Sequence, residues 1–493
     1  MKTKIYTLII FFIPFISFGQ TTANYQKALK VLEKSIQATS DHIPDSLYIS
    51  SKGIIHNLGH YEIPGKTKDI SYEETNAFFD KEQSGYIRST ILNDGYTFVE
   101  LAVGKQDSVY KKGFYQNKLL KEKNTDFAFE LARKVPGKLL QLAWSSRISL
   151  RYLGEDKSYT WISFGSKPVT LFINKKTKLL DRTEYLGYDD LYGDVVFATE
   201  YKNYKENNGI KMPLSRIDYE FGKPEREVTY GDMRSNIKPD TSDLKMALVP
   251  EYFRNQMAER VEKSDSLTFE NIAPGIDLLK VNSRDNKILV AEFTDYLAVF
   301  EAPAGIDLNN QILRELQKRY PGKKIKYLFV THHHPDHAGG LRVYASLPVT
   351  LVTTPGNKQY FEEIMKMPHT LNNSFTNANQ NVGFDFVPLN GEKTFINGKI
   401  VAYEIGQSTG HTNENLVFYF PESKVLWTGD LLSFRSGGRM TPAGERGKAV
   451  YELITNKGLT VDKIYTSWPL KGQKEFGTSE ELKKVVEVKQ ANR

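Results

Sequence analysis

The chain has no cysteine in 493 residues. That excludes disulfides, so stability must come from packed cores and any bound metal. It also excludes a lipid anchor on a cysteine behind the N-terminal leader. Any metal site must be built from histidine, aspartate or glutamate. There is no dense basic run: the formal charge is +7 and the lysines are scattered, so nucleic-acid binding is unsupported. There is no glycine-rich phosphate loop and no Gly-x-Ser-x-Gly elbow, so serine-hydrolase chemistry is unsupported as well. Internal repeats and low-complexity tracts are absent. Beyond the first residues, no segment is apolar for the ~20 residues a membrane helix needs. Histidine is scarce, nine in all, and none follows His411.

What is present is an ordinary globular composition, with 40% hydrophobic and 25% charged residues, enough for two or three domains. Aromatics at 12% favour β-structure. Met1-Lys2-Thr3-Lys4 is a basic start and Ile5 to Phe18 an apolar stretch. Ser17-Phe18-Gly19-Gln20 offers small residues for cleavage. Residues 1–20 therefore read as a signal peptide, which places the mature protein in the periplasm or outside the cell.

Tyr25, Ala28, Leu29, Leu32 and Ile36 fall at helical spacing. From about 47 to 235 short strands with turns take over. Val169, Leu171 and Ile173 alternate before the turn Asn174-Lys175-Lys176-Thr177. Ile217, Tyr219 and Phe221 alternate with Arg216, Asp218 and Glu220, the pattern of a half-buried strand with its apolar side inward. Lys238-Pro239-Asp240 breaks the pattern, and Pro250 to Lys263 suits a short helix. Then strands at 276–281, 287–293 and 296–300, a helical stripe from Leu308 to Tyr320 and a strand at 325–330 give an α/β order. Thr478 to Glu481 is a capping box opening a last helix. The expected fold class is mixed, α+β then α/β, in two domains: an N-terminal antiparallel β-rich domain at 21–240, a connector at 241–265, and a second domain at 266–493.

Four of the nine histidines lie in Thr331-His332-His333-His334-Pro335-Asp336-His337. In an extended segment residues two apart point the same way, so His332 and His334 can face one point. Pro335 biases His334 toward extended geometry. Asp336 and His337 follow as the chain turns into a helix, and His333 points away. Such a mixed nitrogen and oxygen cluster suits zinc, with manganese or iron as alternatives.

Thr-His-x-His-x-Asp-His resembles the signature of the metallo-β-lactamase superfamily, whose fold is an αββα sandwich. Gly410-His411-Thr412 resembles the family's next metal histidine, and Val425 to Asp430 the strand ending in its metal aspartate. The resemblance implies a first metal on His332, His334 and His411, and a second on Asp336, His337 and Asp430. It also implies a hydrolase in which a metal-bound hydroxide attacks an ester-like centre, with Asp336 as a catalytic residue orienting the water. One departure stands out. Where the family places a last histidine after an apolar-x-Pro-Gly turn, this chain has Ile464-Tyr465-Thr466-Ser467-Trp468-Pro469. Trp468 cannot bind zinc, because its indole N–H only donates. The expectation is one zinc ion or two.

Within the first domain, Pro168 to Pro213, ending in Asn207-Asn208-Gly209-Ile210-Lys211-Met212-Pro213, resembles the periplasmic lipoprotein-carrier half-barrel. That implies a cavity for a lipid or acyl chain; the alternative is a β-domain that only packs on its neighbour. His56 and His60 are four apart, but Gly53 and Gly59 argue against a helix joining them, and His42 and His369 read as surface residues. Arg435, Arg439, Arg446 and Lys448 surround the glycine-rich Ser436-Gly437-Gly438 and suit either an anionic group or solvent. Asn357 and Tyr360 are candidate pocket residues. Two functions compete: an exported zinc hydrolase acting on a small-molecule ester, lactone, thioester, β-lactam, phosphodiester or sulfate ester, and a non-catalytic ligand- or lipid-binding protein with a structural or degenerate metal site.

Overall fold

The computed structural model describes residues 21–40, 42–78, 85–93, 96–105, 108–112, 120–123, 126–207, 209–235, 258–259, 267–282, 285–303, 305–372, 382–436, 443–469 and 472–487. The expected signal peptide, Lys238-Pro239-Asp240, Arg439, Gly437-Gly438 and nearly all of the 241–265 connector lie outside them. Among the described residues the strands form three sheets, of fourteen, seven and five strands.

The fourteen-stranded sheet is an antiparallel meander. It runs from Arg151–Glu155 at one edge to Lys223–Ser235, which pairs with Leu47–Leu58. The sheet then continues outward through Thr67–Phe78 to Leu120–Lys123. There Ala258–Glu259 adds in parallel. This corrects the expectation of a helix over 250–263: the two described residues of that stretch are strand, returning to the first sheet. Helices Thr22–Thr39, Phe127–Ala132 and Pro136–Ser145 cover one face of the sheet. The first helix starts where Thr21 Oγ1 accepts the Asn24 N–H, an N-cap. Its Ala28 and Leu32 sink against Leu139, Ile162 and Leu171.

The strand Ile210–Glu220 reverses its sequence pattern. Arg216 and Asp218 face inward, fully buried, while Ile217 and Tyr219 lie on the more exposed side. What turns them inward is a closed ion cluster. Glu74 accepts from Lys134 Nζ at 2.8 Å, Arg216 Nη2 at 3.2 Å and Asn76 Nδ2 at 2.8 Å. Asp218 accepts from Arg216 Nε at 3.0 Å, Arg133 Nη1 at 3.3 Å and the Thr199 hydroxyl at 2.8 Å. Charges this deep persist only when paired. Hydropathy alternation assigns them outward because it carries no information about distant partners: Glu74 lies 142 residues from Arg216, and Arg133 lies 85 from Asp218.

The second half stacks four layers. The seven-stranded sheet (Leu267–Ala273 to Gly383–Phe386) faces the five-stranded sheet (Glu392–Phe395 to Lys463–Tyr465) across a dry core. Phe300 stacks on Phe329 there, with centroids 4.6 Å apart. Helices Ile306–Arg319, Leu341–Tyr344 and Lys358–Lys366 cover the outside of the larger sheet. Glu445–Asn456 and Ser479–Glu487 cover the outside of the smaller. The capping box forms reciprocally between Thr478 and Glu481.

The two halves are joined by turns of the first sheet. Leu191 enters the core beneath the Lys358–Lys366 helix. Asp194 accepts the Leu371 N–H at 2.9 Å and the Thr370 N–H at 2.8 Å. Gly193 has φ +75°, and a Cβ there would stand 2.0 Å from the Pro368 carbonyl oxygen, so only glycine allows this approach.

Arg216→Ala is expected to cost about 3–5 kcal/mol, because it strands Glu74 and Asp218 in a dry interior; urea unfolding followed by circular dichroism measures it. Burial raises the Glu74 and Asp218 carboxyls, but Lys134 and Arg216 hold Glu74 well below its usual range, and Arg216 and Arg133 hold Asp218 at about 2. Carboxyls lowered by folding add stability that is complete above their unfolded values near 4 and is lost as pH falls toward 2. Melting temperature should therefore fall on acidification below about pH 5, and less steeply in Asp218→Asn measured relative to its own value at pH 7.

Candidate metal centre

The histidine segment leaves the Lys324–Phe329 strand between the two sheets. His334 has φ −62° and ψ 150° and precedes Pro335 at the start of the short helix Pro335–Ala338, the extended geometry that a following proline imposes. His332, His334 and His337 are buried. The His332 ring lies 4.5 Å from that of His334, 4.1 Å from His337 and 4.6 Å from His411, centroid to centroid. His411 follows Gly410, which has φ +60°, a conformation side chains resist, and where a Cβ would stand 2.3 Å from Glu445 Oε2. Asp430 follows Gly429, also at φ +60°, where a Cβ would stand 2.9 Å from Thr331 Oγ1. Both turns aim their next residue at one point. His332 Nε2 is 3.1 Å from His411 Nε2, and Asp430 Oδ1 is 3.0 Å from His411 Nε2.

Two groups here could hold a metal ion: His332, His334 and His411, and His332, His337 and Asp430, with the donor atoms of each within 4.8 Å of one another. Asp336 joins the second group, its Oδ2 3.3 Å from His337 Nε2. The donors fit a cation. His337 Nε2, Asp336 Oδ1 and Asp430 Oδ1 are buried without a well-aligned hydrogen bond, a costly state unless something positive binds them. Asp430 Oδ1 nonetheless stands 3.0 Å, and His337 Nε2 3.3 Å, from a neighbouring donor or acceptor of the cluster. Burial, then the neighbouring imidazoles, push His332 and His334 well below the usual histidine range. They are therefore neutral at pH 7, the ligating form. Burial opposes charge on His337 too, but Asp336 and Glu301 outweigh it and raise that imidazole. Burial likewise raises Asp336, yet His337 brings it down to about 2.

Glu301 is the residue that the sequence reading missed. Fully buried and at φ +80°, it accepts the Thr331 hydroxyl at 2.8 Å and the Trp427 indole N–H at 3.1 Å. Its Oε2 lies 3.4 Å from His337 Nδ1. A carboxylate behind a ligand imidazole fixes its tautomer and leaves Nε2 for the metal. The only trace of it in sequence is a glutamate ending an apolar strand.

The first half of the chain also reaches the centre. The turn between Leu47–Leu58 and Thr67–Phe78 lies across the histidines. Gly59, at φ +90°, brings its backbone against Pro335. The Tyr61 carbonyl accepts from His334 Nε2 at 3.1 Å, and the Glu62 carbonyl from the Asn413 N–H at 2.8 Å. With Nε2 so engaged, His334 presents Nδ1 to the site. His60 Nε2 lies 3.9 Å from Asp336 Oδ1, and its ring 5.2 Å from that of His334. The separation of His56 from His60 holds, since His56 stays on its strand against Asp69 at 2.6 Å. His60 stands at the edge of the metal centre, carried there by a loop rather than a helix.

Other candidates are placed as follows. His333 is buried against Tyr360 and turned from the cluster. Asn357 is tied to Thr353 and Thr354, so it supports a turn. His369 is buried, not a surface residue, and its Nδ1 lies 3.1 Å from Tyr188 Oη in the junction between the halves. Arg446 Nη1 is 3.8 Å from Asp430 Oδ2, while Arg435 pairs in a bridge with Gln473. Past the strand Lys463–Tyr465 the chain offers Thr466, Ser467 and Trp468, without imidazole or carboxylate.

Residues 304–468 match the model of the metallo-beta-lactamase superfamily. The C-terminal half of this chain belongs to that superfamily. Hydroxyacylglutathione hydrolase of Pseudomonas aeruginosa is 29% identical over 128 residues, covering 25% of this chain and 41% of that protein. Metallo-beta-lactamase type 2 of Elizabethkingia meningoseptica is 29% identical over 136 residues, covering 28% and 48%. The chain thus spans about half the length of these curated relatives. A solved metallo-beta-lactamase from Hirschia baltica is 18% identical, covers 44% of this chain and 95% of its own, and has a TM-score of 0.33.

In this metallo-β-lactamase-superfamily half, Glu301→Gln should weaken zinc binding by about 10–100-fold, the usual effect of losing a carboxylate behind a ligand histidine. Competition with a chromophoric chelator measures it, and unchanged affinity would remove Glu301 from the centre.

Proposed function

We propose that the protein is an exported zinc-dependent hydrolase of an ester-like bond: ester, lactone, thioester, β-lactam, phosphodiester or sulfate ester. The observation that carries this reading is the convergence of His332, His334, His411, His337, Asp336 and Asp430 with buried donor atoms left unpartnered. A purely structural zinc needs four ligands with none to spare; six around one point suit a reactive centre. Export rests on the basic-then-apolar start at 1–20.

His332, His334 and His411 would hold one ion, and Asp336, His337 and Asp430 a second. Zinc bound there supplies a water acidified to about pKa 7 and polarises the electrophile. The chain's own groups do the positioning. Asp336, with one oxygen near His337, accepts a hydrogen bond from the attacking water and orients it. The Tyr61 carbonyl and Glu301 lock two imidazoles in their ligating tautomers. Arg446 beside Asp430 adds positive charge where an anion would form. The turn at 59–66 narrows access to bulk water.

The test is a panel of chromogenic substrates, one per bond class, with zinc-loaded, chelator-stripped and zinc-restored protein. Turnover of at least one class is expected, abolished by stripping and restored by zinc. Asp336→Asn should lose about 10²-fold in kcat, the usual effect of misplacing a reacting group. A zinc-loaded, folded protein inert on every class, and retaining a co-purified ligand, would favour the non-catalytic binding reading instead.

A further inference from the structure

The metallo-β-lactamase-superfamily half lacks an imidazole at Thr466-Ser467-Trp468, yet the described centre is not short of one. We propose that His60, delivered by the β-rich N-terminal half, is a ligand of the second metal and completes it with Asp336, His337 and Asp430. The inference rests on the zinc-hydrolase reading above.

The distances support it. Donors around one tetrahedral zinc, each at about 2.0–2.2 Å, stand about 3.3–3.6 Å apart. Asp336 Oδ2 is 3.3 Å from His337 Nε2, His337 Nε2 is 3.9 Å from Asp430 Oδ1, and His60 Nε2 is 3.9 Å from Asp336 Oδ1. The His60 contact is as close as one already within the cluster. His60 stands outside the two groups whose donors lie within 4.8 Å of one another, so entering the shell takes a side-chain rotation, which His60, 48% exposed, can make without disturbing a core.

The turn is held rather than draped. On one side of His60, Gly59 packs on Pro335 in a conformation that only glycine enters freely. On the other, Tyr61 and Glu62 are bonded through their backbones to His334 and Asn413. Three backbone anchors flanking His60, all to residues of the centre or near it, fix where its backbone stands and which way its imidazole can turn. The pairing of Leu47–Leu58 with Thr67–Phe78 runs in unbroken register to Leu58 and Thr67, so the turn starts from a rigid stem. The first half is therefore part of the metal centre, and a second ion binds only when the two halves are docked.

The absence of cysteine from this chain makes a clean test. Full-length His60→Ala and His60→Cys are compared with wild type by zinc content, zinc competition and cobalt(II) spectra. Wild type should hold two zinc ions. His60→Ala should hold the first unchanged and bind the second at least about 10–100-fold more weakly, the loss that even an outer partner of a ligand causes. His60→Cys should restore the second ion and show a near-ultraviolet thiolate-to-cobalt charge-transfer band, which a merely substrate-facing residue cannot give. Two ions in His60→Ala at wild-type affinity, or no such band in His60→Cys, overturn the role of His60 alone. One ion in both wild type and His60→Ala does the same. No zinc in wild type overturns the hydrolase reading itself.

Discussion

The structure turns on a knot of imidazoles and carboxylates at the edge of a two-sheet core, three of whose polar atoms lack a well-aligned hydrogen bond. Such a knot is unfavourable by itself, because desolvated donors and acceptors want partners. The surroundings are arranged to keep it in place regardless. Gly410 and Gly429 take backbone conformations that side chains resist, and so aim His411 and Asp430 inward. Glu301, itself at positive φ, ties Thr331, Trp427 and His337 into one frame. Strain of this kind persists where neighbouring contacts over-determine it. A cation is what relieves the excess of acceptors.

The first half serves the same point from a distance. Its ion cluster joins Glu74 on Thr67–Phe78 to Arg216 and Asp218 on Ile210–Glu220 and to the Arg133–Lys134 junction between helices. Glu74 sits on the second strand of the hairpin whose turn reaches His334. A charge network that pins this strand to the helices also stiffens the stem of the turn. Asp194, Leu191 and Gly193 dock the far end of the same sheet near Thr370. Among the described residues the β-rich half thus touches the other beside the metal centre and behind the helix that backs it.

The local parts of this architecture were legible in the amino-acid order. Helical spacing at Ala28 and Leu32, alternation at Val169, Leu171 and Ile173, the capping box at Thr478 and Glu481, and the extended His334 before Pro335 all depend on near neighbours. So does the convergence of His332 with His334, since period-two geometry is a property of the strand itself. His411 and Asp430 were readable through the resemblance of Gly410-His411-Thr412 and of Val425 to Asp430 to the family's metal-binding motifs.

What the sequence did not determine is everything set by residues that meet across long loops. Arg216 and Asp218 read as outward-facing because their partners arrive from other strands and a helix junction. Glu301 looked like any strand-end acid until Thr331, Trp427 and His337 closed on it. His369 looked exposed until Tyr188 covered it. His60 had no motif at all, and only the docking of two halves, through backbone bonds from Tyr61 and Glu62, set it beside Asp336. By itself the sequence determined the chemistry of the donors and their local spacing, because those follow from side-chain type and backbone period. The tertiary structure decided which donors share one shell, because that depends on surfaces meeting that no local pattern encodes.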